Sequence, residues 1–147
     1  MFENRKGIVT QRRHRVPLRK KMDIDRINQI TSDIIACAIE IHKALGPGLL
    51  ESAYKECLHY LLTLKGYKVE SEVSVPIVFK EVKLDCGYRI DLLVDNEVIV
   101  ELKSIEALAP VHAAQILTHL KFAKKKVGLL IHFNVTVLKQ GIKRHIL

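Results

Sequence analysis

Tyr88-Arg89-Ile90-Asp91-Leu92-Leu93-Val94, then Asp95-Asn96, then Glu97-Val98-Ile99-Val100-Glu101-Leu102-Lys103 is the stretch on which the fold turns. Both flanks are short apolar runs rich in branched residues, which predicts two strands covered on both faces. Asp95-Asn96 between them is a turn signal. Charges are costly in such strands unless they are paired or bind something, and these strands carry Asp91, Glu101 and Lys103. Side chains alternate along a strand, so Glu101 and Lys103 share a face. Asp91 joins them only if it lies opposite Glu101. A two-residue loop pairs Val94 with Glu97 and puts Asp91 opposite Val100. A three-residue loop, 95 to 97, pairs Val94 with Val98 and Asp91 with Glu101. The shared site therefore requires an odd loop or a bulge. Two adjacent carboxylates repel, and a divalent cation with a preference for oxygen ligands relieves that repulsion. The alternative is a structural charge network in which Lys103 bridges Asp91 and Glu101.

Working outward, Ile24, Ile27, Ile30, Ile34, Ala38, Ile41 and Leu45 form one apolar stripe, predicting a long helix with Asp23 as N-cap. Gly46-Pro47-Gly48 ends it. A second helix is expected from about Leu49 to Lys65. Near its start stands Glu51, with Tyr54 one turn on; taken locally, Glu51 also fits a helix-start acid in a capping-box position. Lys68–Val75 alternates like a half-exposed strand, and Pro76–Lys80 and Val82–Leu84 continue as strand or hairpin. Pro110 opens a third helix with the apolar face Ala113, Ile116, Leu117, Leu120 and Ala123, closed by Lys124-Lys125-Lys126. Val127–Phe133 and part of Leu138–Leu147 supply the last strands. The order is two helices, three or four strands, a helix and two strands.

On the third helix His112, Gln115 and His119 make a polar stripe. His112 and His119 are seven residues apart, roughly 10 Å along the axis, too far to share one ion. Gln115 and His119 are read as lining a groove, or else as a solvated face. His42, His59, His132 and His145 are read as surface or packing residues.

The 147 residues suit one domain, and 48% hydrophobic with 27% charged residues place the chain in the globular class. Residues 1–22 carry eight basic side chains against Glu3, and so seven of the eight net positive charges. They read as a flexible basic arm ahead of a domain spanning 23–147; such an arm favours polyanions, nucleic acid first, or merely aids solubility. Cys37, Cys57 and Cys86 form no CxxC pair and are expected as free thiols in a reducing cytoplasm. No apolar run is long enough to span a bilayer, and no apolar segment follows the basic N-terminus, so neither a membrane nor a secretory role is expected. There is no P-loop, GxSxG elbow or GxGxxG motif.

Gly48-Leu49-Leu50-Glu51-Ser52-Ala53-Tyr54 has the form GxxExxY. With Ile41-His42-Lys43-Ala44-Leu45-Gly46-Pro47, Tyr88–Val94, Val100–Lys103, His112-Ala113-Ala114-Gln115 and Gly141-Ile142-Lys143-Arg144, it resembles the GxxExxY protein family, a branch of the PD-(D/E)xK nuclease superfamily. The likeness runs from about Ile30 to Arg144. It implies an α/β, restriction-endonuclease-like core: a central mixed β-sheet flanked by helices, in the order α-α-β-β-β-α-β-β. It implies a Mg²⁺-dependent phosphodiesterase, with Mn²⁺ a substitute, acting on nucleic acid, DNA before RNA. Asp91, Glu101 and Glu51 then hold the ion with the Leu102 carbonyl. Lys103 orients or activates the attacking water, and Gln115 is the helix glutamine that follows the ExK strand. Four residues after that glutamine the family pattern carries tyrosine, and this chain has His119. Arg89, Tyr54, His119, Lys124, Lys125 and Lys126 are candidate nucleic-acid contacts. The alternative is a non-catalytic nucleic-acid-binding or partner-regulated module on the same fold. No sequence-reading element is evident, so structure- or end-directed binding, or a protein partner supplying specificity, is expected. A homodimer is left open.

Overall fold

The computed structural model describes residues 15–84 and 87–147. Most of the basic arm (1–14) and Cys86 therefore lie outside the described residues.

Helix α1 runs Leu18–Leu45, with Pro17 at its N-cap and no side-chain cap. It starts ahead of Asp23, so the last residues of the segment read as arm are helical. Nothing after Pro17 breaks a helix, and Leu, Arg, Lys and Met are good helix formers. The apolar stripe that suggested Asp23 marks where the helix meets the core, not where it begins. Gly46 ends it at φ 70°, with its N–H on the His42 carbonyl. Helix α2 is Glu51–Leu64.

The strands are β1 Val69–Ser74, β2 Ile77–Phe79, β3 Val82–Leu84, β4 Arg89–Val94, β5 Val98–Lys103, β6 Val127–His132 and β7 Ile142–Ile146. Helix α3, Pro110–Ala123, joins β5 to β6, and a 3₁₀ turn at Leu138–Gly141 precedes β7. One five-stranded sheet has the order β1-β4-β5-β6-β7. Its pairings are antiparallel except β5 with β6, so the sheet is mixed, as expected. Five strands rather than three or four separate α2 from α3. Two of them, β2 and β3, form a hairpin outside the main sheet.

The sheet divides the core. On one face Ile30, Ile34 and Ile41 of α1 and Tyr54, Leu58 and Leu62 of α2 pack on Val98, Val100 and Leu102. On the other, Ile116 and Leu120 of α3 pack on Ile99, Leu93 and Leu130. Strand β6 is buried along its whole length and β5 nearly so, which accounts for their unbroken apolar runs. Gly128 on β6 lets α3 come close, because a β-carbon there would meet Ile116 Cδ1 at 2.9 Å. Helix α3 corrects the expected apolar face at two places: Leu117 is exposed, and His119 is buried. No helix among the described residues is long and apolar enough to cross a membrane.

The register is the one a shared site requires. Val94 pairs with Val98, Leu93 with Ile99 and Leu92 with Val100. Asp95 and Asn96 take φ of 49° and 56°, and Glu97 N–H closes the turn on the Val94 carbonyl at 3.0 Å. Glu97 is thus the odd residue of the loop. The Asp95 carboxylate accepts Lys68 N–H at 2.8 Å, and Asp95 N–H donates to the Lys68 carbonyl at 2.8 Å, tying the turn to the start of β1.

Candidate active site

One step beyond Leu92–Val100, this register sets Asp91 opposite Glu101. There β4 leaves β5. Leu102 N–H is not donated to a β4 carbonyl; it goes to Asp91 Oδ2 at 2.8 Å. The carboxylate replaces a ladder bond and satisfies a buried donor. On its other edge β5 stays paired with β6 as far as Lys103–His132. The alternation of β4 also breaks at Asp91, since Ile90 and Leu92, two residues apart, belong to opposite core layers. The sheet therefore splits at the aspartate, and a cleft opens between β4 and the end of β5.

Glu101 is only 4% exposed. Its Oε1 lies 2.6 Å from His119 Nδ1. Burial pushes its carboxyl up to about 7; the His119 hydrogen bond opposes that rise, while the neighbouring Asp91 adds to it through its charge and a hydrogen bond. Near neutral pH Glu101 thus resists carrying a full charge beside Asp91. His119, expected on a groove wall or a solvated face, instead covers Glu101 from α3. No nucleic-acid contact is open to a ring so enclosed.

Glu51 enters from the other layer. It is the first residue of α2 behind Leu50, which caps without a side-chain bond, so no capping box forms. Its Oε1 accepts Ser104 N–H at 3.3 Å, and Ser104 Oγ donates to the Leu49 carbonyl at 2.5 Å. The start of α2 is thereby fastened to the end of β5. Tyr54 sets the preceding turn: its hydroxyl donates to the Gly46 carbonyl at 2.5 Å and accepts Leu49 N–H at 3.2 Å. Its ring stacks on Phe133 at 4.1 Å and is fully buried. Tyr54 is a structural residue with no surface to offer nucleic acid. The G-x-x-E-x-x-Y spacing is in this light a mechanical unit: a tyrosine pins the Gly46–Leu49 turn that delivers the glutamate.

A cavity of about 450 Å³ fills the cleft, lined by Leu50, Glu51, Ser52, Lys55, Glu72, Asp91, Leu102 and Ser104. Three carboxylates from three elements meet at it. Among the described residues, however, no three His, Cys, Asp or Glu side chains already stand in ion-binding positions. Lys103, on the Glu101 face of β5, is partly exposed and does not line the cavity. Among the described residues it also makes no ion pair, so the lysine-bridged charge network is not what holds the two acids. Gln115 is exposed on α3, one turn before His119.

Arg89 is exposed at the start of β4. Lys124, Lys125 and Lys126 lie at the other end of the sheet, where Lys125 Nζ reaches Asn96 Oδ1 at 3.1 Å. With Arg19, Asp23, Ile27, Asn96 and Glu97 they line a second polar cleft. Four strand residues, about 13 Å, separate that end from Glu101. These lysines can meet a nucleic-acid backbone only at a distance from the acids. Of the other histidines, His42 and His132 are buried and bonded to the carbonyls of Val135 and Ile105, as packing residues.

Sequence reasoning missed Ser104, Lys55 and Glu72. Lys55 was within reach, since it follows Glu51 by one helical turn. Glu72 was not, because its place depends on a backbone irregularity in β1, where it takes φ 53°.

A family model described as the PD-(D/E)XK nuclease superfamily matches residues 28–145. No curated protein and no solved structure matches the chain.

Proposed function

The chain belongs to the PD-(D/E)XK nuclease superfamily, and on that premise we propose that it is a divalent-metal-dependent nuclease that hydrolyses phosphodiester bonds, DNA in preference to RNA. The Gly48, Glu51 and Tyr54 spacing supports the GxxExxY branch as its place within that superfamily, and the proposal takes one nuclease domain, 23–147, following the basic arm. The observation that carries the reading is the pair Asp91 and Glu101, two carboxyl groups in contact beside an open cleft, one of them pushed up to about 7 by burial and by the other. A structural carboxylate pair gains nothing from such crowding, whereas a cation relieves it.

The donors are all oxygen, which suits Mg²⁺ or Mn²⁺. Asp91 and Glu101 would hold the ion with the Leu102 carbonyl, and Glu51, which lines the cavity with Asp91, would complete the set. When bound, such a cation supplies positive charge against the phosphoryl oxygens and makes water a better nucleophile. The chain's own residues do the rest. His119 fixes Glu101 Oε1. Ser104 holds Glu51 and the end of β5 in one frame. Lys103, beside Glu101 on the strand, orients the attacking water and adds positive charge at the reacting phosphate. Gln115 and Arg89 contact the substrate at the rim, and the distant lysines with the basic arm hold its backbone.

Mg²⁺ and Mn²⁺ titration calorimetry, with DNA and RNA cleavage assays on the same samples, tests the proposal on wild type, Asp91→Asn and Glu101→Gln. Asp91→Asn keeps an oxygen for Leu102 N–H. Metal binding and metal-dependent cleavage in wild type, both lost in the variants, are expected. Wild type that binds metal and nucleic acid without cutting would leave the binding-module alternative standing. Wild type that binds no metal even with nucleic acid present would end the metal-site reading.

A further inference from the structure

Lys55 follows Glu51 by one turn of α2, and helical periodicity brings both side chains to the same cavity. Among the described residues lining that cavity it is the sole cation; the other charged groups are Glu51, Glu72 and Asp91. Its ammonium pairs with Glu72 Oε1, the lysine side chain being 21% exposed and the glutamate 46%. Glu72 lies where the β1–β4 pairing skips a step, opposite Asp91, and holds φ 53° inside a strand. That region is disfavoured for a residue with a β-carbon and is tolerated where the surroundings impose it, commonly at binding sites.

A phosphodiester entering this cleft brings anionic oxygens towards three carboxylates. Lys103, on the Glu101 face of β5, does not line this cavity. Lys55 does, and it is occupied only by a half-exposed glutamate, a partner that contributes little and is easily given up. A phosphate oxygen accepts the same charge-assisted hydrogen bonds as a carboxylate. We propose that Lys55 is a binding residue for the phosphodiester backbone, and that Glu72 occupies it while the cleft is empty and yields it to a substrate phosphate. The inference rests on the nuclease reading and names a group that places its substrate. Lys55 takes no part in bond cleavage.

The test is the salt dependence of binding to a fluorescein-labelled DNA duplex, read by anisotropy in a Glu101→Gln background that keeps the strands intact. Lys55→Gln should weaken binding and make the slope of log Kobs against log salt shallower by about 0.9, the value of one phosphate contact. Lys55→Arg should retain the slope. Glu72→Gln should tighten binding, because it removes the competitor. With Glu101 restored and Mg²⁺ present, Lys55→Gln should raise KM more than it lowers kcat. A folded Lys55→Gln protein with unchanged slope would overturn the proposal, as would Glu72→Gln weakening binding as much as Lys55→Gln does. Either result, in a wild type that still cuts nucleic acid, removes Lys55 alone. A wild type that neither binds nor cuts removes the nuclease reading first, and this proposal with it.

Discussion

His119 Nδ1 stands 2.6 Å from Glu101 Oε1, the two side chains 2% and 5% exposed, so α3 reaches through the core to hold one carboxyl group of the sheet. Partners of this kind orient ligating groups, and their loss typically lowers metal affinity 10- to 100-fold. His119→Ala should therefore weaken Mg²⁺ or Mn²⁺ binding by about that factor, as calorimetry would measure. It should also lower stability by roughly 1–3 kcal/mol, since a buried polar group loses its partner. Unchanged metal affinity would show that Glu101 needs no support from α3.

Metal-free stability should fall as pH rises from about 4.5, the ordinary glutamate value, to about 7, where burial and Asp91 place Glu101 in the fold. In that window the native state keeps a proton that the unfolded chain has released, so raising pH favours unfolding. Glu101→Gln should remove this part of the slope in urea titrations at a series of pH values. Asp33 works in the opposite sense but lower: the Tyr67 hydroxyl chiefly holds its carboxyl below the ordinary 3.8, so its contribution is lost only in stronger acid. A divalent cation must displace the Glu101 proton, so apparent metal affinity should climb with pH up to about 7 and then level. An affinity that does not change across this range would contradict the assignment of Glu101 as a ligand.

Tyr54→Phe keeps the stacking on Phe133 and removes both hydroxyl hydrogen bonds to the Gly46–Leu49 turn. A loss of about 1–3 kcal/mol is expected, with metal affinity reduced because Glu51 is no longer delivered to one place. The salt slope of nucleic-acid binding should not change. A shallower slope would restore Tyr54 as a nucleic-acid contact.

Replacing Lys124, Lys125 and Lys126 together by alanine should weaken nucleic-acid binding and reduce the salt slope by about 0.9 for each lysine that meets a phosphate. Single-turnover cleavage at saturating substrate should stay near the wild-type rate, because this cluster sits at the hairpin end of the sheet. A large fall in that rate would mean that these lysines reach the acids.

The elements that carry the site were legible because their patterns are local. The apolar runs around Asp91 and Glu101 follow from strands buried on both faces, and the Gly-Pro-Gly break fixes the end of α1. Even the odd loop could be deduced, as the condition that lets Asp91 face Glu101. What was illegible depends on tertiary placement. His119 belongs by spacing to a polar stripe, and only the acid beneath it explains its burial. Tyr54 resembles a surface residue until the turn it pins is seen. Strand alternation put Lys103 on the Glu101 face, but it gives the face of a side chain and not how far it reaches, so its absence from the cavity lining could not be read. The irregularity at Glu72 leaves no mark in a stretch that otherwise alternates regularly.

Asp91 ends the pairing of β4 with β5 as well as facing the cleft, because its carboxylate takes the N–H of Leu102 where the two strands part. If the proposed metal site holds, it is thus under two selective demands, and only one of them is chemical. A descendant that had lost all activity would still keep an acceptor at this position, since a buried main-chain donor needs one. Glu101 and His119 have no such second duty; without the proposed ion, an apolar pair of similar size would serve the core as well or better. On the proposed metal site, joint replacement of Glu101 and His119 among relatives would mark a lineage without that site, while retention of the aspartate alone would say nothing about it.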